Sequence, residues 1–479
     1  MRCFLLALSF LCFYVPFAFA QWETNHWLFG NQAGLSFNGN VSTLFFGSKL
    51  HQSEGSAVVS DRKTGQLLFY TDGLRIWNRH NEMMQGGSNL LGSSTSTQSA
   101  LIVPAPGTSD RYYVFTVKAY NDGPEPGLHY SLVDMKLNDG LGAVVKETKN
   151  KLVEARTTEK LTAIPHVNGQ DYWVLAHILD SDEFLVMKLT EQGISIRKRK
   201  HIGTVHKGGA QVKSSEAMGY LKASPDGKRL ASAVYGLERP FELYDFDAQT
   251  GELSNYRNLG NFSYQYGVSF SPDNTKLYLS GLYSFHGSYQ FDLATPDHVT
   301  TKLTLTDTLR GQPYLSSLSG ALQLGIDGTL YSAGRSPARS HPHRGQIAII
   351  SEPNAAGTEC RVGYRPIAYN GRTPLFGLPN FIQSAFNQHT ETKSELVPDL
   401  VNVYPNPVFQ NKLTIEPLTS DQAVESFVVY DHAGKMVMLR DEPVAAKLVM
   451  DTSSWGNAGI YEVVFKCRNR AISKKIFKQ

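Results

Sequence analysis

Four polar residues stand at matching places in this 479-residue chain. Glu54 precedes Gly55-Ser56-Ala57-Val58, Gln98 precedes Ser99-Ala100-Leu101, Glu159 precedes Lys160-Leu161-Thr162, and Glu216 precedes Ala217-Met218-Gly219. They lie 11, 9, 10 and 11 residues ahead of turn glycines at 65, 107, 169 and 227. If the runs that follow are the innermost strands of a circular array of sheets, the four side chains converge on one mouth of a central channel. Three carboxylates and an amide in a ring could hold Ca2+, which takes oxygen ligands from several loops and from water. They could also bind sugar hydroxyls, or set an acid and a base across a glycosidic bond. The plainer alternative is that they cap strand ends and bond neighbouring backbone amides.

The elements that must position them repeat along residues 21–385. A hydrophobic strand, a tight polar turn and a second hydrophobic strand recur, most clearly at Tyr220-Leu221-Lys222-Ala223-Ser224-Pro225-Asp226-Gly227-Lys228-Arg229-Leu230-Ala231 and at Gly267-Val268-Ser269-Phe270-Ser271-Pro272-Asp273-Asn274-Thr275-Lys276-Leu277-Tyr278. Proline presets φ in each turn, and glycine or asparagine sits where the backbone must be permissive. Weaker copies centre on Gly65, Gly107, Gly169 and Gly328, so the turns are 42, 62, 58, 47 and 54 residues apart. That period fits one four-stranded blade of a β-propeller. Three further runs, 130–135, 241–247 and 288–293, read as third strands ending near an Asp that accepts from the next turn. Seven blades are expected, with the runs at 27–30 and 35–38 pairing with 377–384 to close the ring and remove a free edge.

Other candidates are less specific. His341-Pro342-His343-Arg344 lacks a third local ligand and reads as a loop. Arg197-Lys198-Arg199-Lys200-His201 reads as an outer strand guarded by charge, with attraction to acidic polysaccharide as the functional option. Trp77, Tyr120, Tyr264, Tyr266, Tyr283 and Phe285 could stack on sugar rings or simply fill the wedges between blades. The glycine-rich stretch 86–92 has no Lys-Ser or Lys-Thr after it and reads as a connection. Gly-x-Ser-x-Gly, His-Glu-x-x-His and Cys-x-x-Cys are absent, although propeller enzymes assemble sites from distant loops. With 46 Lys and Arg against 43 Asp and Glu, the chain is not a generic nucleic-acid binder.

The N-terminal end reads as an export signal. Arg2, the apolar run 4–17 and Ala18-Phe19-Ala20 form a signal peptide over 1–20, leaving Gln21 as the mature N-terminus. No later run reaches the roughly 18 apolar residues of a transmembrane helix. Cys3 and Cys12 leave with the signal, and Cys360 and Cys467 fall in different domains, so no disulfide is expected. A polar linker is expected at 386–397. Beyond it, 398–479 holds short alternating runs separated by turn residues, which suggests a small immunoglobulin-like β-sandwich. Tyr404-Pro405-Asn406-Pro407 suits the beginning of a strand or a turn, because two residues lack an N–H.

Together with Asp431-His432-Ala433-Gly434-Lys435, Gly459-Ile460-Tyr461 and the basic end Lys474-Lys475-Ile476-Phe477-Lys478, that motif resembles the type A C-terminal sorting domain of the type IX secretion system. The resemblance implies export across a Gram-negative outer membrane, with the secretion machinery as partner and removal of the tail at the surface in many members. Residues 22–385, through Trp27-Leu28-Phe29-Gly30, Leu68-Phe69-Tyr70-Thr71-Asp72-Gly73, Glu159-Lys160-Leu161-Thr162-Ala163 and Gly377-Leu378-Pro379-Asn380-Phe381, resemble exported WD-type propellers. Such propellers are often joined to surface or gliding-associated modules, usually without an assigned molecular function. The expected function is binding of a glycan or protein at the cell surface, with a polysaccharide lyase or glycoside hydrolase as the alternative.

Overall fold

The computed structural model describes residues 22–38, 41–120, 122, 127–208, 215–282, 287–295, 298, 300–303, 305–309, 312–316, 318–334, 346–366, 371–387, 401–417, 424–431, 436–444, 446–467 and 470–478. The expected signal peptide at 1–20, His341 to Arg344, Tyr283, Phe285, residues 388–397 of the expected linker and His432 to Lys435 of the tail motif lie outside them. The chain divides into two compact units, 1–389 and 390–479.

The first unit is a succession of small antiparallel sheets in which each strand pairs with the next. Four of them are four-stranded: Thr157–Pro165, Tyr172–Ile178, Glu183–Thr190 and Gly193–His201; Leu221–Ala223, Arg229–Ser232, Arg239–Asp247 and Glu252–Phe262; Gln265–Phe270, Lys276–Gly281, Ser288–Asp292 and Thr300–Leu303; Leu322–Leu324, Leu330–Ser332, Gln346–Ile350 and Val362–Pro366. Before them come His26–Phe29, Ala33–Asn38 and Val41–Leu44, then Ala57–Ser60, Leu67–Thr71 and Ile76–Asn78. Next is Ala100–Pro104, Arg111–Val117 and Leu128–Asp134, with Ala143–Val144 and Lys151–Glu154 both on the last of these. A hairpin, Leu305–Leu309 with Gln312–Ser316, stands between the last two four-stranded sheets. The first strand of each larger sheet touches the first strand of the next, so these strands surround a common axis and the unit is a β-propeller. Separate apolar clusters fill the wedges between neighbouring sheets.

The repeated turns take the conformation that their residues favour. Gly65, Gly107, Gly169, Gly227, Asn274 and Gly328 have φ of 72°, 75°, 70°, 72°, 65° and 74°. The strand pair is locked across each turn, as by Ser224 N on Arg229 O (2.9 Å) and Ser271 N on Lys276 O (2.9 Å). Asp134, Asp247 and Asp292 end third strands and accept from the amides of Lys136, Gln249 and Ala294.

The two ends of the propeller meet, but not as the continuous ladder expected of 377–384. Contact is made through isolated bridges, Asn31 to Thr373 and Ser56 to Pro379. Phe376 N bonds Ser53 O and Asn380 N bonds Ser56 O, while Ala321 N bonds Phe376 O. Pro374 and Pro379 have no N–H to donate, so a regular ladder cannot run through this segment. Gly377 lies so close to Glu54 that an added Cβ would fall 1.7 Å from the Glu54 carbonyl oxygen. Trp27 completes the closure, its ring 5.2 Å from Phe37, 5.2 Å from Tyr331 and 5.9 Å from Phe381.

The second unit holds seven strands in the order Met436–Arg440, Val424–Tyr430, Gly459–Cys467, Arg470–Lys478, Val401–Phe409, Lys412–Pro417, Leu448–Asp451. Val401–Phe409 pairs with Lys412–Pro417 through Tyr404 and meets Lys478 at Val408, so it passes from one layer of a sandwich to the other. The Tyr404-to-Pro407 motif therefore lies inside a strand, where its prolines coincide with the break in pairing between Tyr404 and Phe409. Val401, Leu413, Ile415, Phe427, Val429, Val463 and Phe465 are fully buried between the layers, consistent with an immunoglobulin-like sandwich.

Candidate functional site

The four residues singled out in the sequence do reach the propeller axis region, and three of them are buried there. Gln98 bridges two inner strands: its Oε1 accepts from Leu161 N (3.0 Å) and Leu221 N (2.8 Å), and its Nε2 donates to Leu161 O (2.8 Å) and Leu221 O (3.2 Å). Asn380 joins it, giving Nδ2 to Leu161 O at 3.1 Å. Glu159 accepts from Thr97 N (2.8 Å), Thr97 Oγ1 (2.7 Å) and Tyr120 N (3.3 Å). Glu54 takes the Tyr266 hydroxyl at 2.8 Å from a distant sheet. Glu216 turns aside: its Oε2 accepts from Lys207 N (2.8 Å) and pairs with Arg239 Nη2 (3.1 Å). The ring is thus a set of stitches across the axis, with Glu216 at its periphery.

Burial sets the protonation of the acids. Loss of solvent and the neighbouring Glu159 charge hold the Glu54 carboxyl well above the usual carboxylate range. Burial raises Glu159 as well, but its three donors oppose the shift. Of the two, Glu159 is the one equipped to stay ionised, and Glu54 the one to keep a proton. Among the described residues no group of three or more His, Cys, Asp and Glu side chains is placed to hold a metal ion.

Two lysines complete the axis, and the sequence reading passed over both. Lys160 directs Nζ at three carbonyls that open the next sheet, Glu216 O (3.1 Å), Ala217 O (3.3 Å) and Met218 O (2.7 Å). Lys222 bonds Gln323 Oε1, which also accepts from Gln383 Nε2 at 3.2 Å. Burial pushes each ammonium down to about 7. Their one sequence signal is a lysine within an inner strand, flanked by apolar residues at Lys222 but by Glu159 and Leu161 at Lys160. Another buried group ties sheets together beside the mouth: His206 Nε2 meets Glu242 Oε2 at 2.9 Å, and the His177 ring stacks on His206 at 3.7 Å. Burial holds both imidazoles well below their ordinary value.

The cations of the basic strand are paired rather than free. Arg199 meets Glu154 and Glu183, and Lys198 meets Glu252 at 3.2 Å. Trp77 stacks on Tyr70 at 5.3 Å and Tyr266 packs edge-on against Tyr220 at 5.5 Å, both inside the protein. Tyr120 and Tyr264 are half-buried. Cys360 is a buried free thiol.

In the tail the separate motifs converge. Asn406 Oδ1 accepts from Phe477 N (2.8 Å), and Lys478 Nζ donates to Gly456 O (2.6 Å). Gly459 pairs with Lys478 in register, Ile460 with Phe477, and Glu462 and Val463 with Lys475 and Lys474. Tyr461 gives its hydroxyl to Trp455 O and Asn457 O. Residues 402–479 match the family described as the secretion system C-terminal sorting domain. The tail is a sorting domain. This sorting domain marks the protein for type IX export, to the cell surface or beyond it.

No curated protein matches the sequence. Among solved structures the chain is similar to the periplasmic gluconolactonase of Pseudomonas aeruginosa, with 12% identity over 89% of this chain and 99% of that one, at a TM-score of 0.40. A putative 6-phosphogluconolactonase of Bacteroides fragilis matches at 15% identity over 83% and 98%, TM-score 0.38. TolB of Acinetobacter baumannii matches at 15% identity over 68% and 66%, TM-score 0.35. At these TM-scores the likenesses bear on neither activity nor ligand.

Proposed function

We propose that this exported propeller is a non-catalytic binding module for a surface glycan or protein, and that it engages its partner with one face rather than with its channel. The observation that carries this reading is the engagement of Gln98, Glu159 and Glu54 in bonds across the axis at 0%, 1% and 8% exposure. Side chains that saturate backbone groups from facing strands hold the ring together and leave little room for a polymer between them. The topology supports the choice of face. First-to-second-strand turns, such as 61–66, 166–171 and 271–275, are short and internally bonded. At the opposite end more chain separates consecutive strands, as between Val117 and Leu128, His201 and Leu221, and Ser332 and Gln346, and long connections on a rigid scaffold commonly carry recognition.

The unequal protonation of Glu54 and Glu159 favours a second reading, a polysaccharide lyase or glycoside hydrolase in which Glu54 is the acid. One experiment separates them. The mature protein is incubated with a panel of bacterial and plant polysaccharides, and retained protein and new reducing or unsaturated ends are scored in the same wells. Retention without new ends supports a binding module. New ends that vanish in Glu54→Gln establish the enzyme, and silence in both channels directs the search to a protein partner.

A further inference from the structure

Residues 374–387 form no strand. They meet the sheets through a single isolated bridge, Ser56 to Pro379, and end in the short 3-10 turn Gln383–Phe386. Yet Leu378, Asn380, Phe381, Gln383 and Phe386 are all buried, because the segment crosses the axis and takes partners from sheets far apart in the chain. Asn380 gives its backbone N–H to Ser56 O (2.7 Å) and its side-chain amide to Leu161 O (3.1 Å), while its Oδ1 accepts from Gln98 Nε2 (3.2 Å). Gln383 Nε2 donates to Gln323 Oε1 (3.2 Å), and Asn387 Oδ1 accepts from Asn274 Nδ2 (3.1 Å). Phe376 donates to Ser53 O and accepts from Ala321 N, and Phe381 packs between Trp27 (5.9 Å) and Phe386 (6.0 Å). The ladders that hold each sheet do not pass through this segment. Its departure would break side-chain bonds and single backbone bonds, and local openings of that kind cost less than global unfolding. It is also the last part of the propeller to leave the ribosome.

We infer that residues 374–387 are a detachable strap that closes the propeller last. Docked, the strap ties the sheets to one another at Ser56, Leu161, Asn274 and Gln323 and seals the axis. Released, it leaves those sheets folded and uncovers the polar side chains of Gln98 and Gln323. Because it stands at the end of the propeller and ahead of the sorting domain, the ring closes only once the whole propeller has been made. Gly377 gives the strap its fit: an added Cβ would stand 1.7 Å from Glu54 O and 2.0 Å from Glu54 C. Those are backbone atoms with no freedom to swing aside, so a side chain at this position expels the strap.

Hydrogen–deuterium exchange of the full chain, read peptide by peptide, tests the strap. In Gly377→Ala and in Asn380→Ala, exchange is expected to quicken roughly tenfold or more at 374–387 and, with it, at Leu161, Leu221 and Ala321, whose amides bond Gln98 Oε1 or Phe376 O. Ladder amides of strands Tyr172–Ile178 and Arg239–Asp247, and the sorting domain, are expected to keep their protection. Gln265→Ala removes an equally buried side chain whose bonds stay local, at Arg239 O and Phe262 O, and is expected to quicken exchange there and not at the strap. Quickening of all propeller amides together would overturn the inference, since the segment would then leave only with the sheets. So would quickening confined to 374–387, which would show nothing coupled across the axis, or the strap pattern arising from Gln265→Ala. If neither strap variant folds, Asn387→Ala decides, because it frees only the Asn274 contact: faster exchange at 374–387 ahead of the ladders supports the strap, and unchanged exchange overturns it.

Discussion

Strand Gly193–His201 of the propeller and strand Met436–Arg440 of the tail are each the last member of a sheet, yet one carries five consecutive basic residues and the other a single arginine. On the propeller rim the cations reach neighbouring sheets, Arg199 to Glu154 on one side and Lys198 to Glu252 on the other. They make the edge a poor template and link adjacent sheets at once, although exposed pairs of this kind stabilise by only about 0–1 kcal/mol each. The tail's edge carries little charge, but its pairing is interrupted by a register irregularity opposite Val429 and Tyr430, which also makes it a poor template. The difference teaches that an exposed edge can be guarded by charge in one sheet and by an interrupted register in another.

If the rim charges only guard, the propeller's stability must lie elsewhere, and the largest effect is expected at the axis. Gln98→Ala strands the backbone groups of Leu161 and Leu221 and should cost about 3 kcal/mol or more, read as a lower denaturant midpoint for the propeller with the sorting domain's transition unchanged. Equal loss in both units would break the comparison.

Next comes the axial charge. Each of Lys160 and Lys222 is held at about 7 against an ordinary 10.5, so between those limits the folded protein binds fewer protons than the unfolded chain. Their contribution to stability is greatest above pH 10.5 and is lost as pH falls towards 7. Lys222→Met should raise stability by roughly 2–4 kcal/mol at pH 7 and flatten that slope, as followed by thermal melts across the range. A slope that survives unaltered would mean that Lys222 is not the titrating group.

The rim itself gives subtler effects. Replacing Arg197, Lys198 and Arg199 by valine should scarcely change the melting temperature yet turn a monomer into a concentration-dependent associate in sedimentation. A triple variant that stays monomeric would show that charge is not what protects this edge. Smallest of all, Glu252→Gln should shift stability by no more than about 1 kcal/mol, and a larger shift would make the rim pairs structural staples in their own right.

Much of the architecture was legible because its signals are local. The turns at Gly65, Gly107, Gly169, Gly227, Asn274 and Gly328 need only a permissive residue at one place, and all six adopt positive φ. The strands they connect were read with their third-strand partners, and the expected aspartate acceptors at 134, 247 and 292 make the turn bonds. The late segment around Pro374 and Pro379 was harder. Its place at the ring closure could be guessed, but its pairing depends on which carbonyls of Asn31, Ser53 and Ser56 lie opposite. In the tail, strands Val401–Phe409 and Arg470–Lys478 were hidden by prolines and by a basic ending that resemble a turn and a terminus.

By itself, then, the sequence determined what depends on neighbours along the chain: the turn positions, the strand runs, the basic rim and the motifs of the sorting domain. Only the tertiary structure decided what the polar residues do. Gln98 meets partners 63, 123 and 282 positions away, and Glu54 meets Tyr266 at a separation of 212. Nothing in the local spacing distinguishes a carboxylate facing an open channel from one bonded across a closed axis. The distinction is made by the closure of the ring, which brings distant strands close enough for a side chain to choose a backbone amide over water.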